Sequence, residues 1–198
     1  GDTILPFGMS DPDSSAGGRL DHYLFSVKEL LKRDIENILP GHGVPVVSAG
    51  KRVIEVAYET IIAKALEIEG AISWMEITPQ LVQKGLLEEA IYCSDKELDR
   101  NPGNLTALQL KAYCLTDMGK CEESLMILDK ILAKQGDNPH ALLGKGHALL
   151  GLGKYDESLK YFDDVIRIKH DIKEAHIYKG MALYFLGRHD EAMDIEIF

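Results

Sequence analysis

The sequence predicts a mainly α protein, an α-solenoid of helix-turn-helix repeats preceded by the partial α/β end of a different kind of domain. Three observations carry this. Gly85, Gly119, Gly153 and Gly187 recur at one constant spacing, and it is the period, about 34 residues, at which helix pairs stack into solenoids. Residue types recur at fixed offsets from those glycines. Before residue 70, helical periodicity alternates instead with a short β-type run and a histidine bracketed by Gly and Pro.

The elements follow in chain order. A strand is expected near residues 2–5, then a Gly/Asp/Pro/Ser loop from Gly8 to Gly18. Leu20 to Lys32 carries apolar residues at 20, 24, 27, 30 and 31, the spacing of an amphipathic helix. Asp21 at its start and Lys32 and Arg33 at its end suit the helix dipole. Ile35 to Leu39 reads as a short strand running into Pro40-Gly41-His42-Gly43, where Pro40 removes backbone freedom and the two glycines allow close approach to the imidazole. A second helix is expected from about Gly50 to Glu69. Residues 71–84 hold Trp74 and Pro79 and read as a linker or a capping helix.

From there the repeats take over. Four residues after each glycine stands Glu89, Glu123, Glu157 or Glu191; five after, the small Ala90, Ser124, Ser158 or Ala192; six after, Ile91, Leu125, Leu159 or Met193. Upstream of the last three glycines, Ala107, Ala141 and Ala175 lie twelve before, Ala112, Gly146 and Gly180 seven before, and Leu115, Leu149 and Leu183 four before. Small residues at such offsets let two helices approach closely while leucines fill the space between them. The pattern resembles the tetratricopeptide repeat (TPR), well over 104–198 and more weakly over 71–103.

That resemblance implies a module that binds protein or peptide on a concave face built from the first helix of each repeat. The offsets nominate Gln109, Tyr113 and Thr116, then Leu143, His147 and Leu150, then Ile177, Met181 and Tyr184. The set is apolar and aromatic, without the Lys/Asn/Arg cluster that grips a C-terminal carboxylate. His147 and Tyr113 have a packing role as the competing reading. Lys111, Lys145 and Lys179 recur at the same spacing as the glycines, either as a basic ladder or, as solvated positions more often do, paired with nearby acids.

Residues 1–70 have a resemblance of their own. Gly1-Asp2-Thr3, the loop from Gly8 to Gly18, a helix holding Asp21-x-Tyr23-x-x-Ser26, and Ile38-Leu39-Pro40-Gly41-His42-Gly43 come in the order found in the C-terminal part of metallo-β-lactamase-fold hydrolases. The resemblance implies that Asp2 and His42 are metal ligands of a two-metal site, with zinc expected and iron or manganese compatible with N/O donors. The H-x-H-x-D-H motif and further histidine that complete the family's site do not occur in the sequence. Asp2 and His42 therefore cannot assemble the site alone, and these 198 residues are expected not to catalyse. The competing reading makes Asp2 a turn aspartate and His42 a loop residue of a structural relic.

The expected organisation is thus 1–70 as the end of a hydrolase-like domain, 71–103 as a degenerate first repeat or linker, and 104–198 as TPR repeats with the last cut short. The opening at Gly1 without Met and the abrupt stop at Phe198 read as an internal fragment of a longer protein. Two functions follow: a metal-dependent hydrolase fused to an interaction module, or a non-catalytic scaffold. The net charge of −10, from 22 basic against 32 acidic residues, argues against nucleic acid or an anionic membrane as the main partner. Cys93, Cys114 and Cys121 have no metal-type spacing and suit reduced thiols in a cytoplasm. No apolar run approaches the ~18 residues of a membrane span, and no signal peptide is visible.

Overall fold

The structure, a computed structural model, describes residues 4–5, 8–9, 20–39, 45–67 and 73–195. The chain divides into two compact units, Gly1–Ile72 and Ser73–Phe198.

In the first unit, β1 (Ile4–Leu5) pairs antiparallel with β2 (Gly8–Met9). Helices α1 (Leu20–Leu31) and α2 (Gly50–Ala65) pack together. Leu24 and Val27 are the buried residues of α1, and α2 buries Ile54, Ala57, Tyr58, Ile61 and Ile62. Between the helices, the strand expected over 35–39 reduces to one antiparallel bridge, Ile38 with Val46, closed by two 2.9 Å N–H···O bonds. Gly50 explains why α2 starts where it does. Its N–H bonds the Glu36 carbonyl at 2.7 Å, and a Cβ there would sit 2.7 Å from the Ile35 oxygen. No side chain fits so close to backbone. The helix ends at Ala65, short of the expected Glu69, with Glu67 at φ +56°.

The second unit is a run of antiparallel helix pairs: α3 (Trp74–Gln83) with α4 (Leu87–Arg100), α5 (Leu105–Asp117) with α6 (Cys121–Lys134), α7 (Pro139–Gly151) with α8 (Tyr155–Ile168), and α9 (Lys173–Phe185) with α10 (His189–Met193). The turns are near-copies. Gly85, Gly119, Gly153 and Gly187 all have φ between +72° and +77°, the left-handed region open to glycine. Each glycine N–H bonds the carbonyl three residues back, and the next N–H bonds the carbonyl five back, as in Gly153 to Leu150 (3.0 Å) and Lys154 to Leu149 (2.9 Å). That is the Schellman closure of a helix C-terminus. Asn104 and Asn138 cap α5 and α7 by accepting the N–H of Ala107 and Ala141.

The stretch open to linker, capping-helix and degenerate-repeat readings forms a helix over residues 74–83 that pairs with α4, with Pro79 inside it. Pro79 removes one N–H, the partner of the Met75 carbonyl, and its ring is exposed. Trp74, Ile77 and Leu81 are buried on the opposite face, with Trp74 edge-on to Tyr92 of α4 at 6.4 Å. Burying a Trp, an Ile and a Leu is worth several kcal/mol, enough to hold a helix against one proline.

The inner joints use size complementarity. A Cβ at Gly146 would lie 2.4 Å from the Phe162 ring, which is fully buried. Ser124 donates to the Ala112 carbonyl at 2.8 Å, tying α6 to α5. The recurring lysines are anchored outside this core: Lys111 pairs with Asp95 (2.5 Å), Lys145 with Asp129 (2.5 Å) and Lys179 with Asp163 (2.7 Å). Each bond links the first helix of one repeat to the second helix of the repeat before. The lysines are thus paired and form no free basic ladder.

Candidate functional site

Residues one helical turn apart on α5, α7 and α9 line a groove of ≈ 580 Å³. Its walls are rows at the repeat spacing: Thr106, His140 and Glu174; Gln109 and Leu143; Leu110, Gly144 and Tyr178; Tyr113 and His147. Asp171 and Ile172 close one end. Leu128 of α6 reaches the floor because Gly144 has no side chain, and a Cβ there would stand 3.0 Å from its Cδ2. The result is an apolar floor with polar groups at its margins, the usual make-up of a recognition groove.

One margin is aromatic. His147 stacks on Tyr178 at 4.4 Å with planes 7° apart, and the Tyr113 ring is tilted toward the imidazole at 6.3 Å. Tyr178 meets the buried Phe162 ring at 5.8 Å. Burial holds the His147 imidazole below its usual pKa, although the Asp117 carboxylate pulls the other way. Desolvation, then Asp117, pushes the Tyr113 phenol up to about 12. The Tyr178 phenol is raised by burial, then by Asp117 and Glu174. Asp117 and Glu174 thus place negative charge near the aromatic margin.

Gln109, Tyr113, Leu143 and His147 come together here. Ile177 is exposed beside it, and Met181 and Tyr184 line a separate hollow of ≈ 420 Å³ with Phe185 and Met193. Thr116 and Leu150 belong to the interior. Thr116 is 8% exposed and donates to Ser124 Oγ at 2.8 Å; Leu150, also 8% exposed, packs with Leu159 and Leu183. Leu150 lies under the following helix pair and Thr116 against the second helix of its own repeat, which no simple count from the turn glycine reveals. Tyr184, their equivalent, is 62% exposed, with no later repeat over it among the described residues. Two rows went unread, Thr106/His140/Glu174 and Leu110/Gly144/Tyr178, although both keep the spacing of the turn glycines.

Asp2 and His42 lie outside the described residues. Among the described residues no group of three or more His, Cys, Asp or Glu is arranged to hold a metal. Cys93, Cys114 and Cys121 are buried thiols outside any disulfide. No helix among the described residues is long and apolar enough to cross a membrane.

Comparison with known proteins bears on the second unit. The family model for anaphase-promoting complex, cyclosome, subunit 3 matches residues 83–165, and a tetratricopeptide-repeat model matches 143–196. Neither reaches the segment resembling a hydrolase. No curated protein matches the sequence. Among solved structures, a thermophilic TPR protein of Thermus thermophilus is 19% identical at a TM-score of 0.57, over 60% of this chain and 67% of that one. MamA of Desulfovibrio magneticus, from residue 41 to its end, is 17% identical at 0.53, over 61% of this chain and 68% of that one. The first TPR domain of human RPAP3 is 20% identical at 0.53, over 60% of this chain and 93% of that one. The chain carries tetratricopeptide repeats in a helical solenoid.

Proposed function

We propose that this chain is a non-catalytic scaffold or adaptor that binds an extended segment of a partner protein in the groove across α5, α7 and α9. The observation that carries the reading is the groove itself. Three successive repeats present Leu110, Leu143 and Ile172 around an opening of ≈ 580 Å³, with Gln109, Tyr113 and His147 placed for polar contacts. A rigid, pre-formed surface of this kind binds a peptide without the cost of ordering the receptor. The metal-dependent hydrolase reading rests on sequence motifs whose Asp2 and His42 lie outside the described residues.

Site-specific photo-crosslinking tests the proposal. A photoreactive residue at position 113 or 143 should capture a partner polypeptide from the native cell, and one at position 126 should not, because Met126 is exposed on the second helix of its repeat. Equal capture from all three positions would overturn it.

A further inference from the structure

We infer that the segment the groove accepts is basic: an extended peptide with a Lys or Arg beside an apolar anchor residue. The inference rests on the groove being the interaction surface and adds the chemistry of what enters it.

The first argument is charge. Asp171 and Glu174 line one end of the groove, and no Lys or Arg does among the described residues. Asp117, exposed at the C-terminal end of α5, does not line the groove but acts on three residues that do, Tyr113, His147 and Tyr178. Of the four lysines next in sequence to lining residues, Lys173 is exposed and does not line the groove, and the other three are engaged. Lys111 and Lys145 are bound to Asp95 and Asp129 of the preceding repeats, and Lys145 also lies 5.1 Å from the Tyr161 ring centroid. Lys179 is likewise bound to Asp163. A groove lined by two carboxylates and no Lys or Arg, with a third carboxylate acting on its aromatic margin, favours a cation and repels an anion.

The second argument is shape. Gly144 uncovers Leu128, leaving a dent in the apolar floor that takes an aliphatic side chain of the ligand. Tyr113, 39% exposed, offers its ring to a cation's alkyl stem or guanidinium plane, with Asp117 beside it to meet the charge. With 32 acidic against 22 basic residues, the whole chain adds to the same sign of field.

The test selects a random-peptide phage library on the full chain and measures synthetic versions of the enriched peptides by fluorescence anisotropy. Enriched sequences should carry Lys or Arg next to Leu, Ile or Met. Their affinity should fall about tenfold in the double variant Asp171→Asn/Glu174→Gln, and by a similar factor between low and physiological salt. Both carboxylates are on exposed residues, so the double variant should keep its circular dichroism spectrum and Tm. Enriched peptides that are neutral or acidic, yet lose binding in Tyr113→Ala, would overturn the basic class and leave the groove reading standing. Peptides indifferent to Tyr113→Ala, or no enrichment over bare support, would overturn both.

Discussion

The imidazole of His147 lies flat on the phenol ring of Tyr178, with centroids 4.4 Å apart and planes 7° from parallel. Burial there keeps the imidazole below its ordinary pKa of about 6.5, with Asp117 offsetting part of the effect. The unfolded chain therefore takes up this proton first. The stabilisation is complete above the ordinary value and is lost as pH falls through the lowered one. Thermal melts from about pH 7.5 to about pH 5 should show a steeper loss of Tm in the native protein than in His147→Phe, which keeps a stacked ring without the titration. Identical slopes would remove His147 as the titrating group. The same protonation puts a cation in the groove and should weaken the basic peptides.

Gly146 and Gly180 occupy equivalent places in consecutive repeats, and their surroundings differ. A Cβ at Gly146 collides with Phe162 at 2.4 Å, whereas at Gly180 the nearest atom is Ile195 Cδ1 at 3.6 Å. Gly146→Ala should cost about 1–3 kcal/mol through overpacking. Gly180→Ala should be neutral or stabilise by up to about 1 kcal/mol, the helix-propensity difference. Urea titration of the two variants decides the matter, and equal effects would contradict the packing described.

Thr116 holds the α5–α6 joint through Ser124 and does not face the groove. Thr116→Val leaves Ser124 without that donor and should destabilise by about 1–2 kcal/mol while peptide affinity is unchanged. Tyr113→Ala should do the reverse, with a small change in stability and a large one in binding. A Thr116→Val that weakens binding at unchanged Tm would return this residue to the groove.

The ion pair Lys145–Asp129 has side chains 21% and 57% exposed. Solvent screening limits such pairs, so a double-mutant cycle with alanine at both positions should give a coupling of at most about 1 kcal/mol, falling in high salt. The repeats would stay folded without it.

Much of this was legible in the sequence, because a turn glycine must recur wherever φ is positive. The four glycines found the four turns, and the small residues at 112, 146 and 180 found the helix contacts. What a linear offset could not supply was which side of a helix the next pair covers. By offset alone Thr116 and Leu150 read as outward, and nothing in the spacing marks Leu110, Gly144 and Tyr178 as groove residues. Asp95, Asp129 and Asp163 recur as plainly as the lysines they bind, yet each sits on the second helix of the preceding repeat, a pairing that only the stacking of the helices reveals. Pro79 leaves helix and linker both open in the sequence, because the rule against proline in helices takes no account of the buried face of Trp74, Ile77 and Leu81.

The Schellman turns make each repeat close on itself, while contacts between repeats reach only neighbours. Pulled from its two ends, such an array gives way one unit at a time. A single molecule held between optical traps should lengthen as a staircase, each full step releasing one repeat, about 115 Å of extended chain less the folded length of that repeat. The period first seen in the glycines would then be read a second time, as a length.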